Sequence, residues 1–148
     1  MSQVLVVSIK PEFAEKIFSG KKKIELRKAA PNVSPGDFVF IYSTTPVKAV
    51  IGFCQIQEII KMSPVQMWRM HSKHLGIDKK RFLQYYENID TAVGIILTSV
   101  IAFNKAIPLK LLKKKHPPFQ PPQTFRYYHK SLFLTPPSRD TYTLSQAS

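Results

Sequence analysis

Glu25 and Arg27 stand two residues apart in the segment Gly20-Lys21-Lys22-Lys23-Ile24-Glu25-Leu26-Arg27. If that segment is a strand, its side chains leave alternate faces, so Lys23, Glu25 and Arg27 share one face and Ile24 and Leu26 the other. A carboxylate that accepts base N–H groups then sits beside a guanidinium that contacts phosphate or stacks on a base, a combination suited to a nucleotide. The same two groups also read as an internal ion pair that fixes the fold. Lys22 has the opposite parity and joins them only where the strand begins or at a bulge.

A second run, Gln123, Phe125, Arg126, Tyr127 and Tyr128, interleaves amide, aromatic and basic groups, which is the chemistry that stacks and reads unpaired bases. Read structurally, the same aromatics are core. Trp68, Phe82, Tyr85 and Tyr86 recur at helical spacing and are assigned to packing. His71 and His74 lie three apart with no acidic or cysteine partner near in sequence, so no metal site and no cofactor are expected. Cys54 is the one cysteine, which excludes an internal disulfide, and its place in a predicted strand makes it a buried, inert thiol. No G-x-S-x-G elbow, P-loop or H-E-x-x-H motif is present.

The elements that must position these residues are legible in outline. Val4 to Ile9 predicts a strand, and Pro11 at a first helical position starts a helix that Gly20 ends. Pro35-Gly36-Asp37 signals a turn into Phe38 to Tyr42, apolar on both faces and hence a buried strand. Val47 to Ile60 predicts another strand, with Gly52 marking a bulge or a close backbone approach. Ser63-Pro64 and Asp78 cap two helices, and Thr91 to Phe103 returns to strand. Leu109 to Lys115 is expected to make one or two helical turns, while the proline pairs at 117–118, 121–122 and 136–137 forbid regular structure around themselves.

Twenty-two Lys and Arg against nine Asp and Glu give a formal charge of +13 on 148 residues, which spreads strong positive potential over a small surface. No acid falls between Asp90 and Asp140, whereas that interval holds Lys113, Lys114, Lys115 and Arg126. A polyanionic partner is one reading and a solvated lysine surface the other. With 44% hydrophobic and 21% charged residues, the chain has the composition of one globular domain. The expected division is a domain over 1–135 and an irregular tail over 136–148. No apolar run is long enough to span a bilayer and the first residues lack a basic leader pattern, so a cytoplasmic protein with no membrane partner is expected.

Taken in order, Ser8-Ile9-Lys10-Pro11, then Gly20, Lys22, Glu25 and Arg27 as G-x-K-x-x-E-x-R, then Pro35-Gly36-Asp37 before a strand with Tyr42, then Pro121-Pro122-Gln123-Thr124-Phe125-Arg126-Tyr127, resemble the ASCH family of the PUA-like group. The likeness covers roughly residues 4–134. It implies an α+β, mainly β fold, a mixed five- or six-stranded β-barrel with peripheral helices. It also implies a basic cleft for RNA, single-stranded or as a modified nucleotide, in a protein with a regulatory role in transcription or translation. The nucleic-acid-binding residues expected on this basis are Lys10, Lys22, Glu25, Arg27, Tyr42, Lys113, Lys114, Lys115, Gln123 and Arg126, with the Lys22–Arg27 strand and the Gln123–Arg126 segment meeting in one concave site. Some ASCH proteins resemble amidohydrolases that remove an acyl group from a modified cytidine; in that alternative Lys22 is the catalytic lysine. Glu25 then stands in the place of the family's threonine, and residues 62–82 supply no matching glutamate.

Overall fold

The computed structural model describes residues 3–134. The boundary expected at 135–136 and the tail beyond it, with its proline pair, lie outside the described residues. Strand β1 (Gln3–Ile9) leads directly into helix α1 (Pro11–Ser19), with proline in the first turn. Gly20 closes the helix at φ 84°, a left-handed conformation that glycine adopts without steric cost, and its N–H donates to Ile17 O. The chain is thereby turned back into β2 (Ile24–Arg27). Then follow β3 (Phe38–Ser43), β4 (Ala49–Met62), α2 (Pro64–His71), a 3-10 turn (Ser72–His74) and α3 (Lys79–Tyr85). The remaining elements are β5 (Ala92–Pro108), α4 (Leu109–Lys115), β6 (Phe125–His129) and the short α5 (Ser131–Leu134). Both expected caps form: Ser63 Oγ accepts from Gln66 N–H at 3.2 Å and Asp78 Oδ1 from Arg81 N–H at 2.8 Å.

The six strands form one mixed sheet in the order β2-β5-β4-β3-β1-β6, parallel between β1 and β3 and antiparallel elsewhere. The fold is thus the mainly β, six-stranded mixed architecture that the sequence resemblance implied. The hydrogen-bonded order ends at β2 and β6 without pairing them, so the barrel-like sheet is not closed. Its long central strands bend at three register shifts, the first between Val50 and Gly52.

The sheet separates two apolar clusters, because β1 sends Leu5, Val7 and Ile9 to one face and Val6 to the other. Ala14 and Ile17 of α1 close the first cluster; Leu112, Phe119, Leu132 and Phe133 close the second. A third cluster forms where the α2–α3 excursion covers β2, burying Ile24 and Leu26 against Met67, Leu75, Phe82 and Tyr86. This third cluster positions the site: with Ile24 and Leu26 committed to it, Glu25 and Arg27 must face the opposite way. Strand β6 departs from the sequence reading, which placed no regular structure near the proline pairs. Pro122 lies three residues before the strand, so no proline interrupts the ladder that Phe125 to His129 makes with β1.

Candidate functional site

Glu25 is held by two cations from opposite sides. Arg27 Nη2 donates to Glu25 Oε2 at 2.7 Å, and Lys22 Nζ lies 3.5 Å from Oε1. Lys22 sits two residues before β2 begins, the first of the two arrangements that reconcile its parity with Glu25. Its backbone N–H bonds to Lys16 O, and its ammonium donates to Leu75 O at 2.8 Å and stands 5.4 Å from the centre of the Phe13 ring. Lys22 is only 4% exposed and Glu25 9%. Burial pushes the Lys22 pKa below its ordinary value, opposed by the charge of Glu25, which favours the ammonium. The guanidinium of Arg27 also covers the Phe125 ring at 5.1 Å, while its Nε is buried with no hydrogen-bond partner. A donor in that condition costs free energy unless a ligand or water accepts from it.

These side chains floor a cleft of about 460 Å³ at the end of β1, walled by Lys10 and Phe13 from the start of α1 and by Arg81, Gln84 and Tyr85 from α3. Arg27 and Tyr85 also line a second hollow, whose other walls are Lys28 to Pro31, Thr124 and Phe125. The two spaces therefore adjoin along the Arg27–Tyr85 wall, and Lys28 Nζ stands 4.8 Å from the Tyr85 ring. Cation, carboxylate and aromatic faces converge on one concave surface, which can hold a planar base and an anionic group together.

Of the residues singled out from sequence, Lys10, Lys22, Glu25 and Arg27 meet in this cleft. Gln123 is exposed at its margin, where the carbonyls of Pro122 and Thr124 accept from the Ser8 hydroxyl and N–H, and Ser8 itself lines the cleft. Phe125 reaches the adjoining hollow. Arg126, next along β6, leaves the other strand face and lines a different hollow. Lys113, Lys114 and Lys115 stand exposed on α4, whose Leu112 anchors in the second cluster. Tyr42 is 4% exposed inside that same cluster, and burial raises its phenol pKa. Cys54 is buried and its thiol is pushed up to about 12 by that burial. Among the described residues no three His, Cys, Asp or Glu side chains gather as metal ligands, and no helix is long and apolar enough to cross a membrane.

Sequence reasoning missed Arg81, Gln84 and the second face of Tyr85. The signal was available, because Arg81 and Tyr85 are four apart on α3 and so form one stripe beside the fully buried Phe82. Arg81 Nη1 donates to Glu12 at 2.7 Å and its guanidinium lies 5.0 Å from the Phe13 ring, which ties α3 to α1 across the cleft mouth.

The ASCH domain family model matches residues 7–107 of this chain. A protein of Zymomonas mobilis subsp. mobilis named ASCH domain-containing ribonuclease is 32% identical over 125 residues, 84% of this chain and 84% of its own. The crystal structure of ASCH from Zymomonas mobilis is similar over 86% of this chain and 89% of that one, with a TM-score of 0.79 and 32% identity.

Proposed function

The chain belongs to the ASCH domain family, and we propose that it binds single-stranded RNA, with the cleft over Glu25 and Arg27 as the place where the RNA is read. The observation that carries this reading is Arg27, a guanidinium fixed between a carboxylate and an aromatic ring, with an unpartnered Nε–H, in the wall between two adjoining spaces. The exposed part of this guanidinium is placed to donate to a phosphate oxygen while bases occupy the spaces on either side. Lys10 and Arg81 at the rim neutralise phosphate charge, Tyr85 and Phe13 offer stacking faces, and Glu25 accepts from base N–H groups. Lys22, sealed beneath Glu25, orients that carboxylate rather than meeting the ligand. The name of the 32% identical relative supports RNA as the polymer.

That name also favours a second reading, in which bound RNA is cut. In such cleavage the 2′-oxygen bonds to phosphorus as the bond to the 5′-oxygen breaks; Glu25 is placed to take the 2′-hydroxyl proton, Arg27 to offset the charge that grows on the phosphorane, and the departing 5′-oxygen takes its proton from water. The deciding experiment is fluorescence anisotropy with short RNA, single-stranded DNA and duplexes at two salt concentrations, run beside Arg27→Ala, with gel analysis of the recovered RNA. Salt-dependent binding to single-stranded RNA that is weakened in the variant supports the proposal, and shortened RNA in the wild type alone adds the second reading. Absence of nucleic-acid binding together with Lys22-dependent hydrolysis of an acylated cytidine replaces both with the amidohydrolase.

A further inference from the structure

The basic residues that the cleft leaves unused are not scattered. Arg126 extends from the outer face of β6 with its guanidinium 5.5 Å from the centre of the Tyr128 ring. Tyr128 is itself fixed, because its hydroxyl donates to Gln120 O and its ring lies 5.2 Å from that of the buried Phe119. Around this stack opens a hollow of about 290 Å³ whose other walls include His116 and His129. His129 Nδ1 accepts from the Ser131 N–H at 3.1 Å, so the ring's own N–H is at Nε2. His116 is also the residue that ends α4, the helix that carries Lys113, Lys114 and Lys115 exposed. The hollow has no acidic wall residue, and the chain has no acid between Asp90 and Asp140.

We infer that this hollow is a second binding site for a nucleotide unit of single-stranded RNA, on the opposite face of β6 from the cleft, so that one RNA chain crosses the edge of the sheet and is held on both sides. Strand β6 ends the sheet order, so among the described residues no further strand covers its outer edge. Phe125 and Arg126 are adjacent on it, one facing Arg27 and the space that adjoins the cleft, the other facing the hollow. A rigid guanidinium–aromatic stack offers a base its π-face at little entropic cost, and lysines beside it neutralise flanking phosphates without reading sequence. An unopposed basic surface alone would give only diffuse attraction; the walled hollow with its fixed stack gives the attraction a seat. The choice of RNA as ligand rests on the proposed function, but the hollow and the cleft are separately testable.

The test uses labelled single-stranded RNA of about 4 and about 12 nucleotides, lengths at the short and long ends of known single-strand sites. Anisotropy titrations compare the wild type with Arg126→Ala, with the triple variant K113A/K114A/K115A and with Arg27→Ala, each confirmed as folded by circular dichroism. Arg126 and Lys113 to Lys115 are all exposed, so folding is expected to survive. Arg126→Ala is expected to weaken the longer RNA about tenfold, the size of one base stack, and to leave the shorter one unchanged. The triple variant is expected to reduce the slope of log K against log salt for the longer RNA by about 0.7 for each phosphate that the lysines no longer neutralise. Arg27→Ala weakens both lengths. Longer-RNA affinity and slope equal to wild type in both hollow variants overturn the second site. So does loss of adenosine monophosphate binding in Arg126→Ala with longer-RNA affinity intact, which makes the hollow a free-nucleotide site. If Arg27→Ala changes neither length while Arg126→Ala still weakens the longer RNA, the hollow stands and the cleft reading fails.

Discussion

The guanidinium of Arg27 stands 5.1 Å from the centre of the Phe125 ring, joining two segments nearly a hundred residues apart in the chain. On its other side the same group donates to Glu25 at 2.7 Å. A cation held between a ring and a carboxylate loses its rotamer freedom on folding, so a ligand that meets it later does not bear that entropy. The pairing also explains how a charged group can stand in a largely buried position, since Glu25 offsets its charge while Phe125 receives its face.

Arg27→Lys is expected to weaken single-stranded RNA binding by about tenfold, or roughly 1.4 kcal/mol, although the charge is retained. An ammonium cannot stack on Phe125 and donate to Glu25 in one plane while keeping further N–H groups for phosphate. Equal affinity of the two proteins in an anisotropy titration would mean that the guanidinium serves only as a charge.

Glu25→Gln is expected to destabilise the protein by about 3 kcal/mol, because it strands Lys22, a buried cation whose remaining partner is the Leu75 carbonyl. Adding Lys22→Met removes the stranded charge, and the double variant should recover most of the loss in a urea titration. Simple additivity of the two single changes would show that Lys22 and Glu25 do not stabilise one another.

How far the site was readable in sequence follows from the range of each signal. The β1–α1–β2 unit is local, so Pro11, Gly20 and the alternation of Ile24 to Arg27 announced its helix, its turn and which face Glu25 takes. Strand β6 depends on β1, more than a hundred residues earlier, and its short run is flanked by proline pairs that argue against structure; only the β1 ladder makes it a strand. The grouping of Gln123 with Arg126 failed to separate faces because residues so close in sequence leave a strand on opposite sides. Tyr42 illustrates the converse, a polar-tipped aromatic in an apolar strand whose burial in the second cluster is decided by what α4 and the segment around Phe119 lay over it.

The pH dependence of stability should carry the signature of Lys22. Burial lowers its pKa in the folded state below the ordinary 10.5, so between those two values the unfolded chain holds a proton that the folded protein has released. Stability therefore rises with pH across that window; below the folded value the full penalty of the buried ammonium is present, and above 10.5 it is gone. Denaturant titrations from about pH 7 towards the lysine range should show wild type gaining on Lys22→Met. A constant gap would mean that Lys22 titrates alike in both states.

Gly52→Ala is expected to cost about 2 kcal/mol or more, in the upper part of the overpacking range. A methyl group there would land on the carbonyl oxygen of Ile101 and on the Phe18 ring, at the bulge where β4 bends. The backbone carbonyl cannot swing aside as a side-chain end would. A melting temperature unchanged by the substitution would show that β4 and β5 can separate at this point without loss.

Glu12→Ala should act in the opposite direction from the other site variants and strengthen RNA binding, by about two- to threefold at low salt. Glu12 accepts from Arg81 at 2.7 Å and lies 3.8 Å from Lys16, so it occupies the cleft cation Arg81 and a neighbouring one. The hydrogen bond from Arg81 is the main reason its carboxyl stays below the ordinary range, which keeps it negative at neutral pH. Its side chain is about half exposed, so its removal leaves no buried charge unpaired. Arg81, still braced on the Phe13 ring at 5.0 Å, is then free to donate to a phosphate. The gain should fade as salt screens the exposed charges and should vanish in an Arg81→Ala background. Weaker binding by Glu12→Ala would show instead that Arg81 meets RNA only while Glu12 holds it in place.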